Sequence, residues 1–91
     1  MPAATEPSYP LPTVHLNGTG RKDLCDGYMA AYKAARRAFD ALADATCNAR
    51  DYYTQGEDAY RLARDERDRQ LKNLRDLIRY TEAHVAHLLP E

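Results

Sequence analysis

Tryptophan is missing altogether, and phenylalanine occurs once, at Phe39. Leu, Ile, Val and Phe together number 14 in 91 residues. That scarcity excludes a large, deep core. It does not by itself mean disorder, which also needs a high net charge. Here 13 basic residues nearly cancel 14 acidic ones, leaving -1 with His neutral. Near-neutrality argues against a strong general attraction to nucleic acid, and equally against a heavily acidic DNA mimic.

Long apolar runs are lacking too. No stretch approaches the roughly 18 residues that a membrane span requires, so no membrane partner is expected. No basic region followed by an apolar one opens the chain, so a secretory signal is not expected. Cysteine is limited to Cys25 and Cys47. On one helix, 22 residues would separate the pair by roughly 33 Å, far beyond disulfide reach. They are expected to be free thiols in a reducing cytoplasm, the compartment predicted for the chain.

Catalytic constellations are also missing. There is no Ser-His-Asp set in register, no phosphate-cradling glycine loop and no His/Cys cluster. His84 and His87 are three apart on a helix, but no third ligand completes a metal site. The expectation is a chain that is not an enzyme and carries no cofactor and no metal.

What is present is Ala, Tyr and charge in a helical rhythm. Leu24, Tyr28, Ala31, Ala35, Ala38, Leu42 and Ala45 recur at alternating spacings of four and three. That is a heptad seam, flanked by Cys25, Tyr32 and Phe39, and it predicts a helix over 21–46. Gly27 is a weak point within it, or a place where another backbone comes close. A second seam runs through Tyr60, Ala63, Leu71, Leu74, Leu77, Ile78, Thr81, Val85 and Leu88. It predicts a helix over 57–88, about 48 Å long and stopped by Pro90. Arg67 and Gln70 interrupt this seam with polar groups.

Residues 1–16 form a different region. Pro2, Pro7, Pro10 and Pro12 forbid helix there. Leu11, Val14 and Leu16 give this extended arm apolar anchors. Asn17-Gly18 is turn chemistry that favours positive φ and redirects the chain into the first helix, capped by Thr19 or Gly20. The fold class predicted is all-α: a long antiparallel helical hairpin over 17–91 with an N-terminal strap. With the link at 47–56, the numbers of facing residues add to roughly 102. Arg67 and Gln70 then lie over Ala31 and Ala35, the Arg head reaching water. Thr81 to Leu89 is left without a first-helix partner, and the arm is expected to cover it. The thin Ala-rich seam makes self-association natural, so a homodimer is a possible partner state.

The link, Cys47 to Gly56, holds the densest group of special side chains. Arg50, Asp51, Tyr52 and Tyr53 sit at a tip between rigid helices, as protein-binding anchors often do. The structural alternative is a turn in which Arg50 and Asp51 pair or cap and one Tyr packs under the helix ends. The charge lattice of the second helix pairs at i, i+4 through Glu57/Arg61, Arg61/Asp65, Arg64/Asp68, Asp65/Arg69, Asp68/Lys72 and Lys72/Asp76. It reads as a solvated face. Its C-terminal half tilts positive at Lys72, Arg75 and Arg79. With Arg36 and Arg37 these form the candidate nucleic-acid surface, a small and salt-sensitive one.

Leu16-Asn-Gly-Thr19, the helix opening Arg21-Lys-Asp-Leu24, and the link Asn48-Ala-Arg-Asp-Tyr-Tyr-Thr-Gln-Gly56 resemble a pattern in short uncharacterised proteins of bacteriophages and prophages. There an Asn-Gly turn opens the first helix and an Arg-Asp-Tyr-Tyr-x-Gln-Gly link precedes the second. The likeness covers most of residues 14 to 88. That group has no assigned activity, so the resemblance implies an origin. Gly20 stands where those proteins tend to place a Ser cap. Small size, absent catalytic chemistry, the aromatic-Arg tip and this likeness together suggest a non-enzymatic interaction protein. Its sharpest form is a phage-encoded inhibitor or adaptor that binds a host or viral protein complex, such as a defence system. The alternatives are a small nucleic-acid-binding accessory and a structural component of a virion assembly.

Overall fold

The computed structural model describes residues 8–90, so Pro2 and Pro7 of the arm lie outside the described residues. Two helices dominate: α1 (Arg21–Asp44) and α2 (Ala59–Leu88). They pack antiparallel as a hairpin, with two short 3-10 turns between them, Ala49–Asp51 and Tyr53–Gln55. No strand occurs among the described residues. The molecule is a rod of 61 × 29 × 21 Å. Its radius of gyration of 18.4 Å far exceeds the ~12 Å of a compact chain this long.

The seam on α2 follows its expected heptad. Thr81, Val85 and Leu88 are buried, and Leu71, Leu74 and Ile78 are half-buried. Leu77, expected in the seam, is 46% exposed. On α1 the seam is rotated. Ala35 is buried, Tyr28 and Leu42 are half-buried, and the flanking Cys25, Tyr32 and Phe39 face inward with them. Ala31, Ala38 and Ala45 are exposed. Size explains the rotation. Turning Tyr32 and Phe39 inward covers far more apolar surface than turning Ala31 and Ala38 inward. Gly27 does not serve close packing, because a Cβ built there would meet nothing within 4 Å.

The register differs from the expected one. Arg67 meets Leu42, Tyr28 meets His84 and Arg21 meets Leu88. Those numbers add to 109, 112 and 109, about two helical turns beyond the expected pairing. The reason lies in the link. After Asp44 the chain does not turn tightly but runs on beside the start of α2, where Tyr52 packs on Tyr60 at 6.3 Å between ring centroids. The open end of the hairpin is consequently flush. Thr81 to Leu88 has an α1 partner after all, and Arg67 does not lie over Ala31 and Ala35.

Each helix C-terminus is capped by an arginine of the other helix. The last carbonyls of a helix have no partner within it, and α1 has no basic residue in its last turn. Arg67 supplies the missing donor. Its Nη2 donates to the carbonyls of Leu42 (3.1 Å), Ala43 (2.7 Å) and Ala45 (3.1 Å). At the other end Arg21 Nη1 donates to Leu88 O at 3.0 Å. A guanidinium suits both places, because its charge also opposes the negative end of the helix dipole.

The arm straps the open end, but its main anchor is not among the three residues expected. Leu16 is 97% exposed and Val14 36%, while Leu11 is half-buried. Tyr9 is the anchor. It stacks parallel to His84 at 5.9 Å and leans on Tyr80 at 5.1 Å. His87 Nε2 donates to Pro12 O at 2.7 Å. His84 is buried between Tyr9 and Tyr28, 4.1 Å from the latter, and its Nδ1 donates to Tyr80 O at 2.8 Å. Burial within this cluster raises the Tyr28 phenol above its ordinary value, and the neighbouring Tyr80 adds to the shift. The turn that follows closes with Gly18 N–H donating to His15 O at 3.1 Å. It needs no positive φ at Asn17; among the described residues only Gly56 has one.

Candidate functional site

The link is built from backbone upward. Ala45 leaves α1 in extended conformation, at φ -68 and ψ 137. Arg67 holds that exit by its bond to Ala45 O. Asp51 N–H then donates to Asn48 O, and Tyr52 N–H to Ala49 O, closing the first 3-10 turn. Gln55 N–H donates to Tyr52 O and closes the second. Gly56 redirects the chain into α2 at φ +119 and ψ 166, a region that is essentially glycine's alone. The link is thus a fixed support for its side chains.

Those side chains divide. Tyr52 is half-buried and anchors the link against Tyr60. Tyr53 is 75% exposed. Arg50 and Asp51 are exposed, and neither forms an ion pair or a side-chain hydrogen bond among the described residues. They do not pair or cap, as the purely structural reading of the turn required. Ala49, Tyr53, Gly56, Glu57 and Tyr60 border a shallow hollow next to the Tyr53 ring. The tip therefore presents an aromatic ring, a cation and an anion with unspent hydrogen-bonding capacity. Of the four residues singled out in sequence, three are displayed and Tyr52 is the support.

The candidate nucleic-acid residues do not converge. Helical rotation of about 100° per residue puts Arg36 and Arg75 on one broad face of the hairpin. Arg37 lies on the outer edge of α1, and Lys72 and Arg79 on the outer edge of α2. Asp76 accepts from Lys72 at 3.0 Å and lies 3.5 Å from Arg79. Arg75 lies over the Phe39 ring, 5.6 Å from its centroid. The remaining charges of α2 form the solvated lattice expected, with altered partners. Arg61/Asp65 and Lys72/Asp76 form, while Asp58/Arg61, Glu66/Arg69 and Asp76/Arg79 pair at i, i+3.

Other chemistry is sparse. No group of three or more His, Cys, Asp or Glu able to hold a metal occurs among the described residues. His84 and His87 are engaged with the aromatic cluster and the strap. Cys25 and Cys47 are free thiols, both half-buried. Among the described residues no helix is long and apolar enough to cross a membrane.

Arg67 is the residue that sequence reasoning misplaced. The signal was available: α1 ends without a basic residue, and a polar residue sits in the opposing seam. Comparison with known protein families, with curated proteins and with solved structures found no match to this chain.

Proposed function

We propose that this chain is a non-enzymatic protein-interaction module whose contact surface is the link, centred on Tyr53 with Arg50 and Asp51. The exposure of Tyr53 carries the reading. A large ring left 75% exposed on a backbone already ordered by two 3-10 turns and Gly56 has only two side-chain torsions to fix on binding. Tyr and Arg are the side chains most often found at the energetic centre of an interface. The sharper form, a phage-encoded inhibitor or adaptor acting on a host complex such as a defence system, draws support from small size and from the likeness in the link. The nucleic-acid alternative is less well supported, because Arg36, Arg37, Lys72, Arg75 and Arg79 point in three directions.

The test is affinity capture from bacterial lysate with the intact chain beside an Arg50→Ala, Tyr53→Ala double variant. Both residues are exposed, so the variant retains its helical circular-dichroism signal. The expected result is a specific protein retained by the intact chain and lost at least about tenfold with the variant. Equal retention by both would remove the link from the interface.

A further inference from the structure

One broad face of the hairpin is apolar and only half covered. Met29, Tyr32, Val85 and Leu89 line a groove between the helices there, with Glu82 at its edge. Phe39 and Ile78 continue the same face and are half-buried, and Leu89 is 50% exposed. Three charges stand among these residues: Arg36, Arg75 and Glu82. All three are exposed, and none has an ion-pair partner among the described residues.

We infer that this face is the interface of a homodimer, in which a second copy of the chain lies against it with α2 antiparallel to α2. Exposed apolar surface argues for a partner: the groove is lined almost wholly by apolar side chains, and Leu89 within it is 50% exposed.

Charge argues that the partner is a second copy. Arg75 and Glu82 are seven residues apart on one line of α2. A two-fold axis passing midway between them sets Arg75 against Glu82 of the second copy, and Glu82 against its Arg75. The same axis passes at the level of Ile78. With the observed register, Tyr32 of α1 lies at that level too. Both side chains therefore meet their own counterparts on the axis, with the Arg75/Glu82 pairs about 5 Å to either side of it along α2 and Arg36 alone left without a partner. The other two-fold arrangement, α1 over α2, brings Arg36 toward Arg75 and leaves Glu82 unpaired.

The proposal is tested by sedimentation equilibrium of the intact chain from about 1 to 500 µM. The expected species is a dimer of twice 10.3 kDa. Arg75→Glu and Glu82→Arg, both at exposed positions, each place like charges in two symmetry-related pairs. Each is expected to weaken the dimer at least about tenfold, and the double reversal to restore it. Ile78→Arg abolishes it, with helicity checked by circular dichroism. A monomer at every concentration overturns the proposal and leaves the face to a different protein. A dimer that ignores both reversals but dissociates on Ala34→Arg, on the opposite face, overturns it as well.

Discussion

Arg67 shows how one side chain sets the register of a two-helix fold. Its stem lies in the seam and its head holds three carbonyls at the end of α1. Hydrogen bonds from a charged donor are worth about 1.5–3 kcal/mol net. Arg67→Met keeps much of the stem and removes the donor, leaving the carbonyls of Ala43 and Ala45 to water while Leu42 O keeps the Ala45 N–H. The expected loss is about 2 kcal/mol, read as a lower urea midpoint with an unchanged slope. Tyr28 contributes to the alkaline pH dependence. Its raised phenol binds its proton more tightly in the folded chain than in the unfolded one. That contribution is whole below the ordinary value of 10.0 and is lost as pH climbs through the raised one. Stability therefore falls above about pH 10, and Tyr28→Phe, which keeps the ring, shallows the fall. Lys22, raised by its hydrogen bond and charge contact with Asp26, acts in the same sense and is common to both proteins. Thermal melts at stepped alkaline pH check the difference.

At the scale of elements, the two helices were legible because the seams carry a heptad period. The α2 seam was read almost residue by residue. On α1 the seam holds at Leu24, Tyr28, Ala35 and Leu42 and on the flanking Cys25, Tyr32 and Phe39, while Ala31, Ala38 and Ala45 are exposed, since Ala satisfies the period on either side of Ala35 and only packing favours Tyr32 and Phe39. The register was not legible, because it depends on where the link goes after Asp44. Arg50, Asp51 and Tyr53 were legible as a tip, but which tyrosine supports it depends on the contact with Tyr60. The strap was legible as an element, though not by its anchors. Leu16 looks like an anchor by composition and is solvent-exposed, while Tyr9 lies among prolines and docks. A protease is therefore expected to cut near Leu16 in the intact chain. Tyr9→Ala, which removes the contacts with His84 and Tyr80, should cost about 1 kcal/mol or more, read as a lower urea midpoint. An unchanged midpoint would mean that the strap is not held.

Across the whole molecule, burial is lopsided. Thr81, His84, Val85 and Leu88 are buried near the open end, where the strap adds Tyr9. Among the described residues, Ala35 on α1 is the one buried apolar residue away from that end. Toward the link, α2 presents Arg61, Leu62, Arg64, Asp65 and Glu66 to solvent. A long helix supported at one end and solvated at the other does not open as a unit, because local opening costs only what local packing supplies. Backbone amides inside α2 report this. Those from Ile78 to Val85 are expected to exchange at least about tenfold more slowly than those from Arg64 to Gln70. Fraying alone predicts no such gradient, since both windows lie several residues inside the helix. The measurement belongs at low concentration, because a second copy seated at Ile78 would slow the same amides. Protection that rises further with concentration around Ile78, and not around Arg64, would place the dimer contact on the residues that face it. Uniform protection along α2 would instead mean that the Arg67 cap and the Tyr52–Tyr60 contact hold the link end as firmly as the buried cluster holds the other.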